Sequence, residues 1–350
     1  MSAVSQQKSD RPLSVAVVGA TGAVGEVLFG VLEERQFPVG RLLPLASSRS
    51  AGRSIRFRGK EIRVEEARPE AFEGVDLVFF AATGALSKDL APEAVARGAT
   101  VIDKSNTWRM EETVPLVVPE INAEALEGNQ GIIACPNCTT IGFVMALEPI
   151  RRAAGLKHVV VTTLQAASGA GREGIDELES QIAAIGRGEE PLARLFAAPL
   201  AHNVVPLCEN FTGEDGYSTE EVKLLFETRK ILGPTHSGGE LDVSMTCVRV
   251  PVPVGHSATL LIETERPLSA DEARRALDNF PGVRVVDDVS QNRFPTASDV
   301  VGSDDVLVGR VRADLGSERL WLWQVSDNLR KGAATNAVQI AEALRSRALI

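Results

Sequence analysis

Along the first 150 residues, short runs of apolar side chains alternate with longer amphipathic ones, and each change of period marks a change of element. Residues 13–18 form a compact apolar strand. It passes at once into Gly19-Ala20-Thr21-Gly22-Ala23-Val24-Gly25 and a helical run carrying Val27, Leu28, Val31 and Leu32. Further strands are expected at 41–46, 75–82, 100–103, 116–118 and 131–134. A helix is expected over 87–97, and another starts at Cys138 and Thr139 and carries Ile141, Val144, Met145, Leu147 and Ile150. The run at 75–82 is apolar almost throughout, as a strand covered on both faces must be. Strand and helix in alternation predict a parallel sheet whose ligand edge is formed by the carboxyl ends of its strands, where Thr83, Gly84 and residues 103–109 fall.

After Gly155 the rhythm changes. A strand is expected at 158–167 and a helix at 173–186, followed by an irregular stretch punctuated by Pro191, Pro199 and Pro206. Then come a helix at 218–232, strands at 241–250 and 258–263, a helix at 270–279, more strand within 306–325 and a last helix at 333–349. Longer alternating strands with fewer helices between them predict a second unit of α+β type. The fold class is therefore α/β. A Rossmann-type unit spans 13–137 and takes back residues 333–350, an α+β unit covers 138–332, and the polar residues 1–12 read as a disordered tail.

Strand, glycine turn, helix is the setting that gives a G-x-x-G-x-x-G string its meaning. Glycines permit a tight turn and close approach of a pyrophosphate, and the helix N-terminus holds the anion. Gly19, Thr21, Gly22, Ala23 and Val24 are expected to bind a dinucleotide there. Where the second strand ends, an NAD site usually offers a carboxylate to the ribose 2′-hydroxyl. Here stand Ser47, Ser48, Arg49 and Ser50. Hydroxyls and a guanidinium suit a 2′-phosphate, so the expected cofactor is NADP, with Ser47, Arg49 and Ser50 around that phosphate.

Cys138 sits where an extended run stops, Pro136 and Asn137 break the pattern, and a helix begins. Unpaired amides and the helix dipole stabilise an anion at that place, which makes Cys138 a candidate nucleophile. A buried structural cysteine is the competing reading, as is a C-x-x-C redox pair or half a zinc site with Cys135. Cys208 and Cys247 stand alone, so no second pair completes a four-thiolate site and no metal is expected. In the second half, Leu241, Val243, Met245, Cys247 and Arg249 share one face of a strand. A guanidinium among apolar neighbours is costly unless an anion meets it, either in a structural salt bridge or as a ligand carboxylate. Residues 251–257 read as a turn that brings His256 near Arg249, while His158, His202 and His236 read as structural.

The net charge of −10 over 350 residues, without a basic block, argues against nucleic acid as a partner. No run of eighteen apolar residues suggests a membrane partner, and four cysteines without framework spacing indicate a reducing, cytoplasmic setting.

These segments together resemble the bacterial aspartate-semialdehyde dehydrogenase family. The likeness runs through the glycine turn at 19–25, Pro136-Asn137-Cys138-Thr139-Thr140, Gln165 with Ser168-Gly169-Ala170-Gly171, Glu220-Glu221-Val222-Lys223, Arg249-Val250-Pro251-Val252, Gly255-His256-Ser257 and Ser326-Asp327-Asn328. The resemblance implies that Cys138 attacks the substrate carbonyl, His256 is the base and Gln165 positions the thioester. It implies that Arg249 binds the α-carboxylate and Glu220 the amino group, that Arg109 and Lys223 bind phosphate beside Asn137, and that Ser168, Gly169 and Asn328 contact the cofactor near its nicotinamide. The reaction it implies is the reversible, NADP-dependent conversion of L-aspartyl 4-phosphate to L-aspartate 4-semialdehyde and phosphate through a cysteine thioester, on the way to lysine, threonine and methionine. The second domain would then be catalytic and dimerising, in a homodimer or homotetramer. Thr83 and Thr139 stand where the family often has Gly and Ser, and Cys135 matches no family role. N-acetyl-glutamyl-phosphate reductase shares the two-domain plan, but an acetylated nitrogen has no charge for Glu220 to meet. A non-catalytic NADP-binding regulator would have lost Cys138 or His256, and both are present.

Overall fold

The computed structural model describes residues 11–350. The expected tail therefore lies outside the described residues except for Arg11 and Pro12, and Arg11 donates to both carboxylate oxygens of Asp76, at 2.9 and 2.5 Å. The chain divides into two compact units. One runs to Asn137 and resumes over Ala333–Ile350, and the other is Cys138–Gly332.

In the first unit, β1 (Leu13–Val18) is followed by the helix α1 (Ala23–Glu34) and β2 (Val39–Ala46). A hairpin of β3 (Ser54–Phe57) and β4 (Lys60–Arg63) comes next, then the short edge strand β5 (Glu65–Glu66). After it come β6 (Leu77–Phe80), α2 (Gly84–Ala96), β7 (Thr100–Asp103) and β8 (Ile132–Ala134). Six strands form one sheet in the order β5-β2-β1-β6-β7-β8, every pair parallel. Parallel strands carry helices on both faces, which is why Val15, Ala16, Val17 and Val18 are all buried.

Two sequence expectations change in this unit. Residues 116–118 form no strand but a single parallel bridge, Leu116 to Ala134, because Pro115 and Pro119 flank them and lack the N–H that a longer ladder needs. The hairpin at 54–63 was not expected. Its outward positions are polar and its inward pair, Ile55 opposite Ile62, is too short a pattern to read, while Arg58 and Gly59 take the positive φ of a tight turn.

The second unit opens with α3 (Cys138–Ala154), β9 (His158–Gln165) and α4 (Arg172–Gly186). It continues through α5 (Thr219–Leu232), β10 (Asp242–Arg249), β11 (His256–Glu263) and α6 (Ala270–Asp278), then β12 (Val283–Val285), β13 (Val306–Ala313) and β14 (Leu320–Ser326). Its sheet has the order β10-β9-β11-β14-β13-β12 and is mixed: the outermost pair at each edge is parallel and the inner pairs are antiparallel. Helices α3, α5 and α6 pack on this sheet. A row on its other side, Val160, Leu261 and Trp321, is directly aligned across three strands and only partly covered. His256 is the first residue of β11 rather than part of a turn; its ladder partner is Ser326.

Candidate active site

The pairing of the second sheet gathers one edge. β9 ends at Gln165, β10 runs parallel to it and ends opposite at Arg249, and β11 runs back from His256. β14 ends at Ser326, which pairs with His256. Strand direction alone thus brings together side chains far apart in sequence.

Cys138 is the first residue of α3 and is half-buried. Its Sγ lies 3.3 Å from Nε2 of His256, which is 2% exposed. On the far side of the ring the Ala166 N–H donates to Nδ1 at 3.0 Å, and the Ala166 carbonyl accepts from Nη1 of Arg249 at 2.7 Å. Arg249 is 5% exposed and lies over the Phe196 ring, 5.9 Å from its centroid. Among the described residues it has no carboxylate within ion-pair distance, which removes the structural salt bridge and leaves a buried guanidinium with capacity to bind an anion. Gly169 closes on both groups: a Cβ there would stand 2.6 Å from Nη1 of Arg249 and 3.2 Å from Cε1 of His256. Gly332 closes on the thiol in the same way, with a Cβ falling 3.0 Å from Cβ of Cys138.

Glu220 lies in the first turn of α5, whose start is fixed by the Ser218 and Glu221 capping box, and it is buried. Its Oε1 accepts from Nε2 of Gln165 at 2.9 Å and from the Thr139 hydroxyl at 3.4 Å. Lys223 is 3.5 Å from the other oxygen, and both oxygens of Glu209 hold its ammonium at 2.6 and 2.5 Å. Ser168 and Asn328 bond each other at 2.9 Å, and Asn328 Oδ1 also accepts from the Gly255 N–H at 3.0 Å. Burial pushes the Cys208 thiol up to about 12 and raises that of Cys247 as well, so neither rivals Cys138 as a nucleophile.

The remaining expected residues belong to the first unit. Gly19 has φ +88°, and a Cβ on it would collide with the Ala81 carbonyl; one on Gly25 would collide with the Gly19 carbonyl. The turn therefore closes tightly onto α1, whose N-cap Gly22 supplies no side-chain cap, so the first-turn amides suit a phosphate. At the end of β2 the Ser47 carbonyl accepts from the Ser50 and Ala51 amides at 2.9 and 3.0 Å, a turn that exposes Ser47, Ser48 and Arg49. Arg109 is 5% exposed, with Nε on the Cys135 carbonyl at 3.1 Å and Nη2 on that of Lys104 at 2.7 Å; Asn137 is also buried.

Three residues had no signal in the sequence: Ala166 acts through its backbone, Glu209 sits in an irregular segment, and Gly332 works by lacking a side chain; Asp103, within the expected ligand edge, holds the loop of Arg109. Asp103 accepts from the hydroxyls of Ser87 and Ser105, and burial pushes its carboxyl above the usual carboxylate range. Thr139 could have been suspected from its place beside Cys138.

A parallel sheet with a glycine turn in one unit, and a thiol against an imidazole in the other, match the class of dinucleotide-dependent oxidoreductases, with Cys138 as the candidate nucleophile. Two family models match the chain, "Semialdehyde dehydrogenase, NAD binding domain" over residues 14–129 and "Semialdehyde dehydrogenase, dimerisation domain" over 147–331. The aspartate-semialdehyde dehydrogenase of Bacillus subtilis (strain 168) is 47% identical over 349 residues, covering 97% of this chain and 99% of the relative. Among solved structures, aspartate semialdehyde dehydrogenase II of Vibrio cholerae complexed with ASA aligns with a TM-score of 0.91 at 43% identity, over 96% of this chain and 98% of that one. The Candida albicans enzyme with NADP aligns with a TM-score of 0.75 at 27% identity, over 97% and 100%. The chain belongs to the aspartate-semialdehyde dehydrogenase family. It is an oxidoreductase with that family's NAD binding and dimerisation domains, and no helix among the described residues is long and apolar enough to cross a membrane.

Proposed function

We propose that this enzyme interconverts L-aspartyl 4-phosphate and L-aspartate 4-semialdehyde plus phosphate, using NADP and a thioester on Cys138, in the cytoplasmic synthesis of lysine, threonine and methionine. The observation that carries this reading is Sγ of Cys138 standing 3.3 Å from Nε2 of His256, on the sheet edge where Gln165 and Arg249 also lie. The ASA complex of the Vibrio cholerae relative and the NADP complex of the Candida albicans relative support the substrate and the cofactor.

The tight turn at Gly19 and the uncapped start of α1 fit a pyrophosphate, which Gly19, Thr21, Gly22, Ala23 and Val24 would hold. Ser47, Arg49 and Ser50 would take the 2′-phosphate, and Ser168, Gly169 and Asn328 are assigned as further cofactor contacts. When bound, NADPH supplies the hydride that reduces the thioester. Cys138 attacks the acyl phosphate as thiolate, phosphate leaves, and after reduction the C–S bond breaks to return the thiolate and release the aldehyde. The Arg249 fork binds the α-carboxylate, Glu220 binds the amino group, and Gln165, tied to Glu220, orients the acyl group. Arg109, Asn137 and Lys223 receive the phosphate, which must compete with Glu209 for the Lys223 ammonium. The partly covered row of Val160, Leu261 and Trp321 is the face we assign to self-association, as a homodimer or a dimer of dimers.

The test is NADPH formation from aspartate semialdehyde with and without phosphate. Turnover is expected to require phosphate and to vanish in Cys138→Ala, while NADP binding, followed by fluorescence, persists. Full activity of that variant would refute the thioester.

A further inference from the structure

We infer that Phe196 positions the Arg249 guanidinium for the substrate's α-carboxylate, and that Glu177 and Gln181 of α4 hold the segment that carries Phe196. The inference rests on the proposed role of Arg249, and these three residues act through it.

A guanidinium is planar and takes a carboxylate edge-on, through two parallel N–H groups. To receive one without rearrangement, its in-plane direction and its tilt must both be settled beforehand. The Ala166 carbonyl settles the direction, accepting from Nη1 at 2.7 Å. One such bond still lets the group swing about it. The tilt falls to Phe196: Cζ of Arg249 lies over its ring, 5.9 Å from the centroid. An aromatic face attracts the cation without using any of its N–H groups. A carboxylate in that place would hold the charge as well, but a ligand would have to displace it, as phosphate must displace Glu209 from Lys223.

No regular element places Phe196. From 187 to 218 the chain makes only single bridges, so its backbone amides need acceptors from elsewhere. One face of α4 supplies them, where Glu177 and Gln181 stand one turn apart. Glu177 accepts from the amides of Arg194 and Leu195 at 3.1 and 2.7 Å, and from that of Phe196 at 3.5 Å. Gln181, which is 2% exposed, accepts from the Leu200 and Ala201 amides at 2.7 and 3.0 Å and donates to the Leu192 carbonyl at 3.0 Å. Leu178 of the same helix packs with Leu200, Ala201 and Val205, and Phe196 joins that cluster. Val205 then pairs with Arg249 itself, each amide donating to the other's carbonyl, at 2.9 and 2.8 Å. The segment is fixed on both sides of Phe196, and its far end is tied to the backbone of the residue that the ring serves.

Steady-state kinetics with aspartate semialdehyde, phosphate and NADP test this. Phe196→Leu keeps apolar cover but loses the aromatic face, and its KM for aspartate semialdehyde is expected to rise about three- to tenfold, the scale of one long side chain ordered on binding instead of beforehand. Both kcat and the KM for NADP are expected within about twofold of the parent, which also shows that the variant is folded. Phe196→Tyr restores the face and is expected to return the parent's KM. In the Arg249→Lys background, where there is no plane to orient, Phe196→Leu adds less than about twofold. Glu177→Ala moves the same constant in the same direction, and combining it with Phe196→Leu goes no further than the larger single change. An unchanged KM in Phe196→Leu, equal losses in the two Phe196 variants, or a full Phe196→Leu effect on top of Arg249→Lys or of Glu177→Ala overturns the inference while the reaction stands. A parent enzyme that does not oxidise aspartate semialdehyde would overturn the reaction, and the inference with it.

Discussion

Arg249 illustrates how burial readies a charge for the ligand carboxylate we propose for it. It is 5% exposed, with a carbonyl and an aromatic face as its partners, so its remaining N–H groups have most to gain from a ligand anion. Arg249→Lys keeps the charge but loses the planar fork. A charged hydrogen bond contributes about 1.5–3 kcal/mol, so the KM for aspartate semialdehyde should rise by about 10–100-fold while that for NADP stays put. If steady-state kinetics showed only the NADP constant moving, Arg249 would belong to the cofactor. This residue was legible beforehand, because a period of two places it on a buried apolar face. Ala166 and Glu209 were not. A backbone amide has no residue type to betray it, and a carboxylate in an irregular segment has no period.

At the scale of elements, α3 shows why the thiol stands where it does. From Thr139 to Ile150 the helix is buried, and it is brought close to the sheet by Gly142. A Cβ at Gly142 would fall 2.5 Å from Oγ of Ser326 and 2.6 Å from Nε2 of Gln324, two groups that already bond each other at 3.0 Å. Gly142→Ala gains about 1 kcal/mol of helix propensity but overpacks this contact at a cost of about 1–3 kcal/mol. Calorimetry should find a lower Tm, and assays a lower kcat, because Cys138 lies one turn away. A raised Tm would mean that β14 yields without strain. Helix starts and the first strands were readable from caps, glycines and apolar runs. Two failures have local causes, proline at both ends of 116–118 and too few residues in the hairpin at 54–63, and one a distant cause, a strand at His256 whose partner lies in β14.

For the molecule as a whole, the stability curve against pH should show the buried Asp103. Burial is the main cause of its raised pKa, against an ordinary value of 3.8. Between that value and the raised one the folded protein still holds a proton that the unfolded chain has released. The folded state therefore binds more protons, and this contribution, full below the unfolded pKa, is lost as pH rises through the folded one. Asp103→Asn is expected to flatten that part of the curve when Tm is followed from acid to neutral pH. An unaltered slope would place its origin in other carboxylates.

What the amino-acid order determined alone are the features built from near neighbours: the glycine turn with its helix, the thiol at a helix start, the alternation that buries Arg249, and the change from one sheet type to another. Each follows from a backbone period or a local φ preference. Only the folded chain decided that Cys138 and His256, 118 positions apart, should touch, that Lys223 should be held by Glu209, and which nitrogen of the imidazole is left to face sulfur. Those outcomes depend on which strands pair and in which direction, and on the partner each buried polar group finds once water is gone.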